Sequence, residues 1–221
     1  MQVENKKKLY VWSEGWGEKY IKVRGVPHSV DVLVQDSPSG HPGTWSLYSP
    51  YCDDTPPVGE YAFPKEVFVE VPANNKIHLD FLGLTHRVKL VSETMLRFLR
   101  EQGLTDGYEV AAVKNVVSRK GKVIETEKKY FALRFFAFDD KLLSFQNKVK
   151  IVEKEFFETV FDIYPNMRIK RGVDKKIFVL DHLTYSYTLV FTKEIMTLIE
   201  ENNFVGPRIY AMDEYYKAFV D

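Results

Sequence analysis

The chain has 221 residues, enough for one large domain or two small ones, and 45% of them are hydrophobic, so it can bury a core without a disulfide or metal staple. Lysine plus arginine and aspartate plus glutamate stand at 31 each; the resulting zero net charge argues against a dedicated polyanion binder. The single cysteine, Cys52, excludes an intrachain disulfide and fits a reducing compartment.

Met1–Lys8 is polar, with no apolar run behind it, so it does not read as a signal peptide. No stretch approaches about 20 consecutive apolar residues, the length a membrane helix needs. Together with the lone cysteine, this points to the cytoplasm. Leu9–Trp12, Tyr20–Val23 and Val30–Val34 are short β-branched or aromatic runs and read as strands. Asp36–Gly59 is rich in Ser, Pro, Gly and Asp and reads as an excursion, with Trp45, Tyr48 and Tyr51 inside it. Val67–Val71 alternates as a strand. Val88–Val91 is an apolar strand leading into a helix: Ser92 is the N-cap, Glu93 puts negative charge in the first turn, and Met95, Leu96, Phe98 and Leu99 make the apolar face. Gly103 stops the helix, and Tyr108–Val117 is the next strand.

Tyr130–Phe138 is an apolar strand with little alternation, expected where both faces are covered. Asp139–Asp140 turns the chain, Phe145–Ile151 reads as a strand, and Glu153–Phe161 has helical spacing through Phe156, Phe157, Val160 and Phe161. Arg168–Lys176 is a basic loop, and Ile177–Leu180 a short strand. A second strand–helix–strand device follows about 100 residues after the first. Tyr187–Phe191 is its strand, Thr192 its N-cap, Ile195, Met196, Leu198 and Ile199 its apolar face, Asn202–Asn203 its stop and Arg208–Met212 its return strand. The two devices share a pattern at low identity, with their turn glycines out of step by one position. The fold class expected is α+β: a β-rich N-terminal part, 1–75, packed with a C-terminal α+β part, 76–221, that holds both devices.

No catalytic motif is present. There is no G-x-S-x-G elbow, and the neighbouring Asp53 and Asp54 would raise rather than lower the Cys52 thiol pKa. Neither helix follows a glycine-rich phosphate loop. His78, Asp80 and His86 form the one constellation with ligand-like spacing, and a surface histidine beside a strand carboxylate is the commoner meaning of such a group. No cofactor is expected. The basic stretches Arg119–Lys122 and Arg168–Lys176 lack interleaved aromatics and read as solvated hairpin tips.

The run LDFLGLTHRVKLVSETMLRFLREQGLTDGYEVAAV and the closing segment KIFVLDHLTYSYTLVFTKEIMTLIEENNFVGPRIYAMDEYY resemble immunity proteins of bacterial polymorphic toxin systems, of the types called immunity protein forty-three and immunity protein eleven. The resemblance covers about residues 77–216. It implies a protein that binds a cognate toxin domain and performs no catalysis. Such pairs rest on buried anchors and charge complementarity, so the expected contacts are aromatic and acidic positions taken to be exposed: Trp45, Tyr48, Tyr51, Asp213, Glu214, Tyr215 and Tyr216. Two other functions compete. One is a ligand or carbohydrate module whose N-terminal rings, Trp12 and Trp16 among them, line a concave site. The other is a hydrolase with a dispersed site built on His78, Asp80 and His86.

Overall fold

At Ser92 an extended chain becomes a helix. Its backbone is still extended (φ −72°, ψ 161°), and its Oγ accepts the Met95 N–H at 3.1 Å, satisfying one of the unpaired donors of the first turn. The computed structural model describes residues 8–14, 24–35, 62–72, 76–85, 87–153 and 159–220. The expected strand Tyr20–Val23 and the excursion Asp36–Gly59 lie outside them.

In chain order, β1 is Leu9–Ser13, β2 Leu33–Gln35, β3 Glu66–Val71 and β4 Phe81–Gly83. β5, Val88–Ser92, runs directly into α1, Glu93–Glu101; β6 is Tyr108–Ser118, β7 Val123–Ile124 and β8 Tyr130–Phe135. Four short strands follow: β9, Leu143–Ser144; β10, Val149–Glu153; β11, Thr159–Ile163; and β12, Arg168–Ile169. The chain closes with β13, Ile177–Phe178; β14, Leu189–Thr192; α2, Lys193–Glu201; β15, Arg208–Ala211; and α3, Lys217–Val220. The fold is α+β and rich in strand. Among the described residues no helix is long and apolar enough to cross a membrane.

Two sheets carry the structure. One has the order β2-β3-β6-β8-β5-β4 with β7 on β6; the other has the order β13-β14-β1-β15. The two devices sit in them in the same way. β5 and β6 are both antiparallel to β8, so they run parallel to each other with β8 between them. β14 and β15 stand in that relation to β1. The registers match residue for residue. Val91 faces Phe131 and Ala112 faces Phe131, as Phe191 faces Tyr10 and Ala211 faces Tyr10. Phe81 opposite Val91 corresponds to Ile177 opposite Phe191. Each helix is entered alike, with Glu93 N donating to Lys129 O at 2.9 Å and Lys193 N to Lys8 O at 3.1 Å. Each also ends alike, in a left-handed residue: Gly103 at φ 93° and Asn203 at φ 54°. The units differ in chain order, because the central strand follows the first device (β8) but comes from the N-terminal end for the second (β1).

One cap differs. Thr192 has the N-cap backbone, but its hydroxyl makes no capping bond, and among the described residues its buried Oγ1 has no hydrogen-bond partner. In the first unit, Asp80 accepts the Ser92 hydroxyl proton at 2.5 Å and so aims its lone pair at Met95 N. The residue in the place of Asp80 is Lys176, which reaches out to Glu194 at 2.5 Å and offers the threonine no acceptor.

The helical faces meet in one central core. Met95, Leu96, Phe98 and Leu99 of α1 and Ile195 and Ile199 of α2 pack there with Phe81, Val91 and Leu133 of one sheet and Trp12, Ile177 and Phe191 of the other. Truncating such a residue to alanine typically costs about 2–5 kcal/mol. Trp12 is held further by its Nε1 donating to Pro207 O at 2.8 Å. Each sheet also has an outer core, one around Val69, Leu82 and Leu90, the other around Val11, Val190 and Tyr185.

Between the units runs a connector, 136–176. Here the structure departs from the sequence expectations. Val149–Glu153 and Thr159–Ile163 form an antiparallel hairpin, so the helix expected over Glu153–Phe161 is not formed at its C-terminal end; residues 154–158 lie outside the described set. Phe161 and Ile163 alternate inward as strand residues do, and the Phe161 ring packs on Phe219 at 5.0 Å. The strand expected over Phe145–Ile151 is broken by Asn147, which adopts φ 55°, leaving β9 before it and β10 after. Val30–Val34 is likewise split, since Ser29–Asp31 is a 3₁₀ turn.

Lys89 of β5 is buried in the seam between the units. Its ammonium donates to Thr85 O at 3.1 Å and to Ser186 O. The matching register position in the second unit is Leu189. Burial pushes the Lys89 pKa down to about 7. The folded state therefore binds this proton less readily than the unfolded chain, and stability increases with pH across the interval between about 7 and the ordinary lysine value. Unfolding free energy is expected to rise by roughly 1–2 kcal/mol from about pH 8 to about pH 9.5. Urea unfolding at the two pH values checks this, and Lys89→Met should flatten the rise.

Candidate partner-binding surface

The residues picked out from the sequence scatter. Trp45, Tyr48 and Tyr51 lie outside the described residues, as do Trp16, Cys52 and His86. Asp213, Glu214 and Tyr216 are exposed on the turn between β15 and α3. Tyr215 is a correction: it is fully buried, not exposed. Its hydroxyl donates to Thr184 O at 3.1 Å and lies 3.2 Å from Ser13 Oγ, and its ring packs on Tyr185 at 5.4 Å and Tyr210 at 5.9 Å. Residues 212–214 form a 3₁₀ turn, which sends neighbouring side chains to different sides and turns Tyr215 inward. The two carboxylates of this turn have lysine partners, Lys8 to Asp213 at 3.4 Å and Lys217 to Glu214 at 2.6 Å.

Of the dispersed-site residues, the two that are described, Asp80 and His78, have separate partners. Asp80 is buried, and both its oxygens are engaged: Oδ1 with Ser92 Oγ, and Oδ2 with Lys128 Nζ at 2.7 Å and Val205 N at 2.9 Å. His78 is exposed, with its Nδ1 3.9 Å from Glu127 Oε2. Among the described residues no group of three or more His, Cys, Asp or Glu side chains could hold a metal ion. Trp12, with 1% exposure, belongs to the central core and cannot line a ligand site. Two hollows of about 620 and 490 Å³ adjoin along Glu125–Glu127, bordered by Lys114 and Lys128 in one and Arg24 and His78 in the other. They offer mixed charge and no nucleophile paired with a base.

The connector is different in character. β9 pairs with β12, setting Arg168 opposite Ser144, and Lys170 donates its N–H to Leu142 O at 3.0 Å and its Nζ to Lys141 O at 2.8 Å. This brings Lys141, Arg168, Lys170 and Arg171, all exposed, to one ladder. Among the described residues none of these four has a carboxylate partner. The β10–β11 hairpin, which follows β9 and precedes β12 in the chain, exposes Val149, Val152 and Val160, at 43%, 43% and 45%; Val152 and Val160 are cross-strand partners. Leu183, at 54%, stands on the 3₁₀ turn next to β11, where Thr184 Oγ1 donates to Asp162 O at 3.0 Å.

Under the hairpin, His182 stacks on Phe145 (5.5 Å between centroids) and meets Tyr164 edge-on at 5.3 Å. Burial pushes its pKa down, against the opposing pull of Asp140 and Asp162, which favours the neutral ring. Among the described residues, His182 Nδ1 and Asp162 Oδ1 are both buried without a hydrogen-bond partner. The sequence signal for this region was the basic run Arg168–Lys176. Its meaning depended on a pairing with Leu143–Ser144 across more than 20 residues, which periodicity does not report.

No curated protein matches the chain. A family model does, that of Immunity protein 43, over residues 19–221. That match spans nearly the whole sequence and takes in both devices and the connector, and the protein therefore belongs to the Immunity protein 43 family of polymorphic toxin systems.

Proposed function

We propose that this protein binds a cognate toxin domain in the cytoplasm and neutralises it by occlusion, with no catalysis of its own. The family match carries this reading. The packing supports it, because both devices commit their helical faces to the central core and leave loops and strand edges for recognition. Asp213, Glu214 and Tyr216 offer one contact region at the C-terminal end, and Trp45, Tyr48 and Tyr51 remain candidates on sequence grounds.

The partner is sought beside the gene, as the variable C-terminal domain of a large secreted protein. Co-expression with that domain is expected to restore growth, and the two chains should elute as one complex on gel filtration. Growth arrest with both proteins well expressed would sink the proposal.

A further inference from the structure

Resting on that reading, we propose that the toxin docks on the connector face built by β9, β12 and the β10–β11 hairpin, and that the surface it brings there is acidic around an apolar centre. Charge is the first argument. Lys141, Lys150, Arg168, Lys170 and Arg171 are exposed and lack carboxylate partners among the described residues. Many other surface cations are paired: Lys8 with Asp213, Lys114 with Glu66, Arg119 with Asp31, Lys176 with Glu194 and Lys217 with Glu214. In a chain of zero net charge, a group of such cations along one connector is a local surplus that an acidic surface complements and that steers encounter.

The second argument is the apolar centre. Val152 and Val160 form an exposed cross-strand pair, at 43% and 45%, that gives a partner an apolar surface to desolvate. This favours a protein over a nucleic acid. A single-strand binder needs rings free to stack on bases, whereas among the described residues of the connector Phe145 and Tyr164 pack on each other at 5.0 Å and on His182. The third argument is position. The connector lies between the two units and supplies no strand to either large sheet, so its surface can be shaped for a partner without disturbing the scaffold. The carboxylates of the C-terminal turn, already ion-paired, would have to give up their lysines to bind.

The test uses full-length chain and the toxin domain encoded beside it, by calorimetry and growth rescue. Reversing Lys141, Lys150, Arg168 and Arg171 to glutamate is expected to weaken binding about 100-fold or more and to abolish rescue. Wild-type affinity should fall as salt rises. The milder set Lys141→Gln, Arg168→Gln and Arg171→Gln keeps the test valid if the reversal does not fold, with an expected loss of about tenfold. Full rescue by a folded reversal variant overturns the docking face. So does loss of binding on Asp213→Lys with Tyr216→Ala while the reversal variant still binds, or wild-type affinity for a short DNA duplex equal to that for the toxin. Failure of the wild-type chain to bind the toxin at all would instead overturn the function proposed above.

Discussion

Asp80→Ala is expected to lower the unfolding free energy by about 3–5 kcal/mol, the range for breaking one side of a buried ion pair. The side chain is 4% exposed and joins three parts of the fold. Through Oδ1 it orients the hydroxyl that caps α1; through Oδ2 it holds Lys128, just before β8, and the Val205 N–H from the loop between α2 and β15. The same stretch of backbone is joined to that loop a second time, since Asp80 N and Phe81 N both donate to Val205 O. Alanine would leave a three-quarters-buried ammonium, a backbone N–H and a hydroxyl without their acceptor. Urea titration of the wild type and Asp80→Ala, Ser92→Ala and double variants apportions the effect. The two losses should not add, because the cap depends on the carboxylate. A loss below about 1 kcal/mol for Asp80→Ala would show that water replaces these contacts.

Asp80 also illustrates what was legible beforehand. Local patterns are legible in the sequence. Both amphipathic helices, their stops and most flanking strands follow from apolar spacing and cap residues over windows of ten to twenty residues. Long-range pairing left no such trace. A His-x-Asp suggests chemistry, and it takes the partners Ser92, Lys128 and Val205, the last 125 residues away, to reveal the aspartate as a structural tie. Equivalence of the two devices was obscured in the same way: their central strands, β8 and β1, lie on opposite sides of them in the chain, so aligning the devices in sequence could not include them. At the C-terminal end of the helix expected over Glu153–Phe161 a strand forms instead, because valine and phenylalanine are also good strand residues and the cross-strand partners in Val149–Glu153 decide the matter. Of the candidate contacts, exposure could be read for Asp213, Glu214 and Tyr216 but not for Tyr215, whose direction is set by a single tight turn.

The second large effect is expected at Gly83, where Gly83→Ala should prevent the two units from closing on each other. A Cβ built there would lie 1.7 Å from Tyr187 O and 2.7 Å from the Tyr187 carbonyl carbon. These are backbone atoms, so no side-chain rotation relieves the clash; either the β4–β5 hairpin or the Tyr185–Thr188 turn must move. Neither is free to do so. β4 is tied through Phe81 to β5 and to Val205, and Lys89 on β5 holds Ser186, the residue before the obstructed carbonyl. The turn is fixed in turn by Thr188 Oγ1 donating to Tyr185 O at 2.8 Å and by Tyr185 at the centre of the aromatic cluster. Overpacking in a rigid core commonly costs about 1–3 kcal/mol, and a backbone-to-backbone overlap belongs at or above the top of that range. Opening the seam would also let water reach Lys89, whose pKa should then return toward the ordinary lysine value and weaken the rise of stability between about pH 8 and about pH 9.5. Two readouts therefore move together in Gly83→Ala: a lower urea midpoint and a shallower pH dependence. A variant with the wild-type midpoint and the wild-type pH slope would mean that the seam yields without cost, and that the close approach of β4 to Tyr187 is not what holds the units in register.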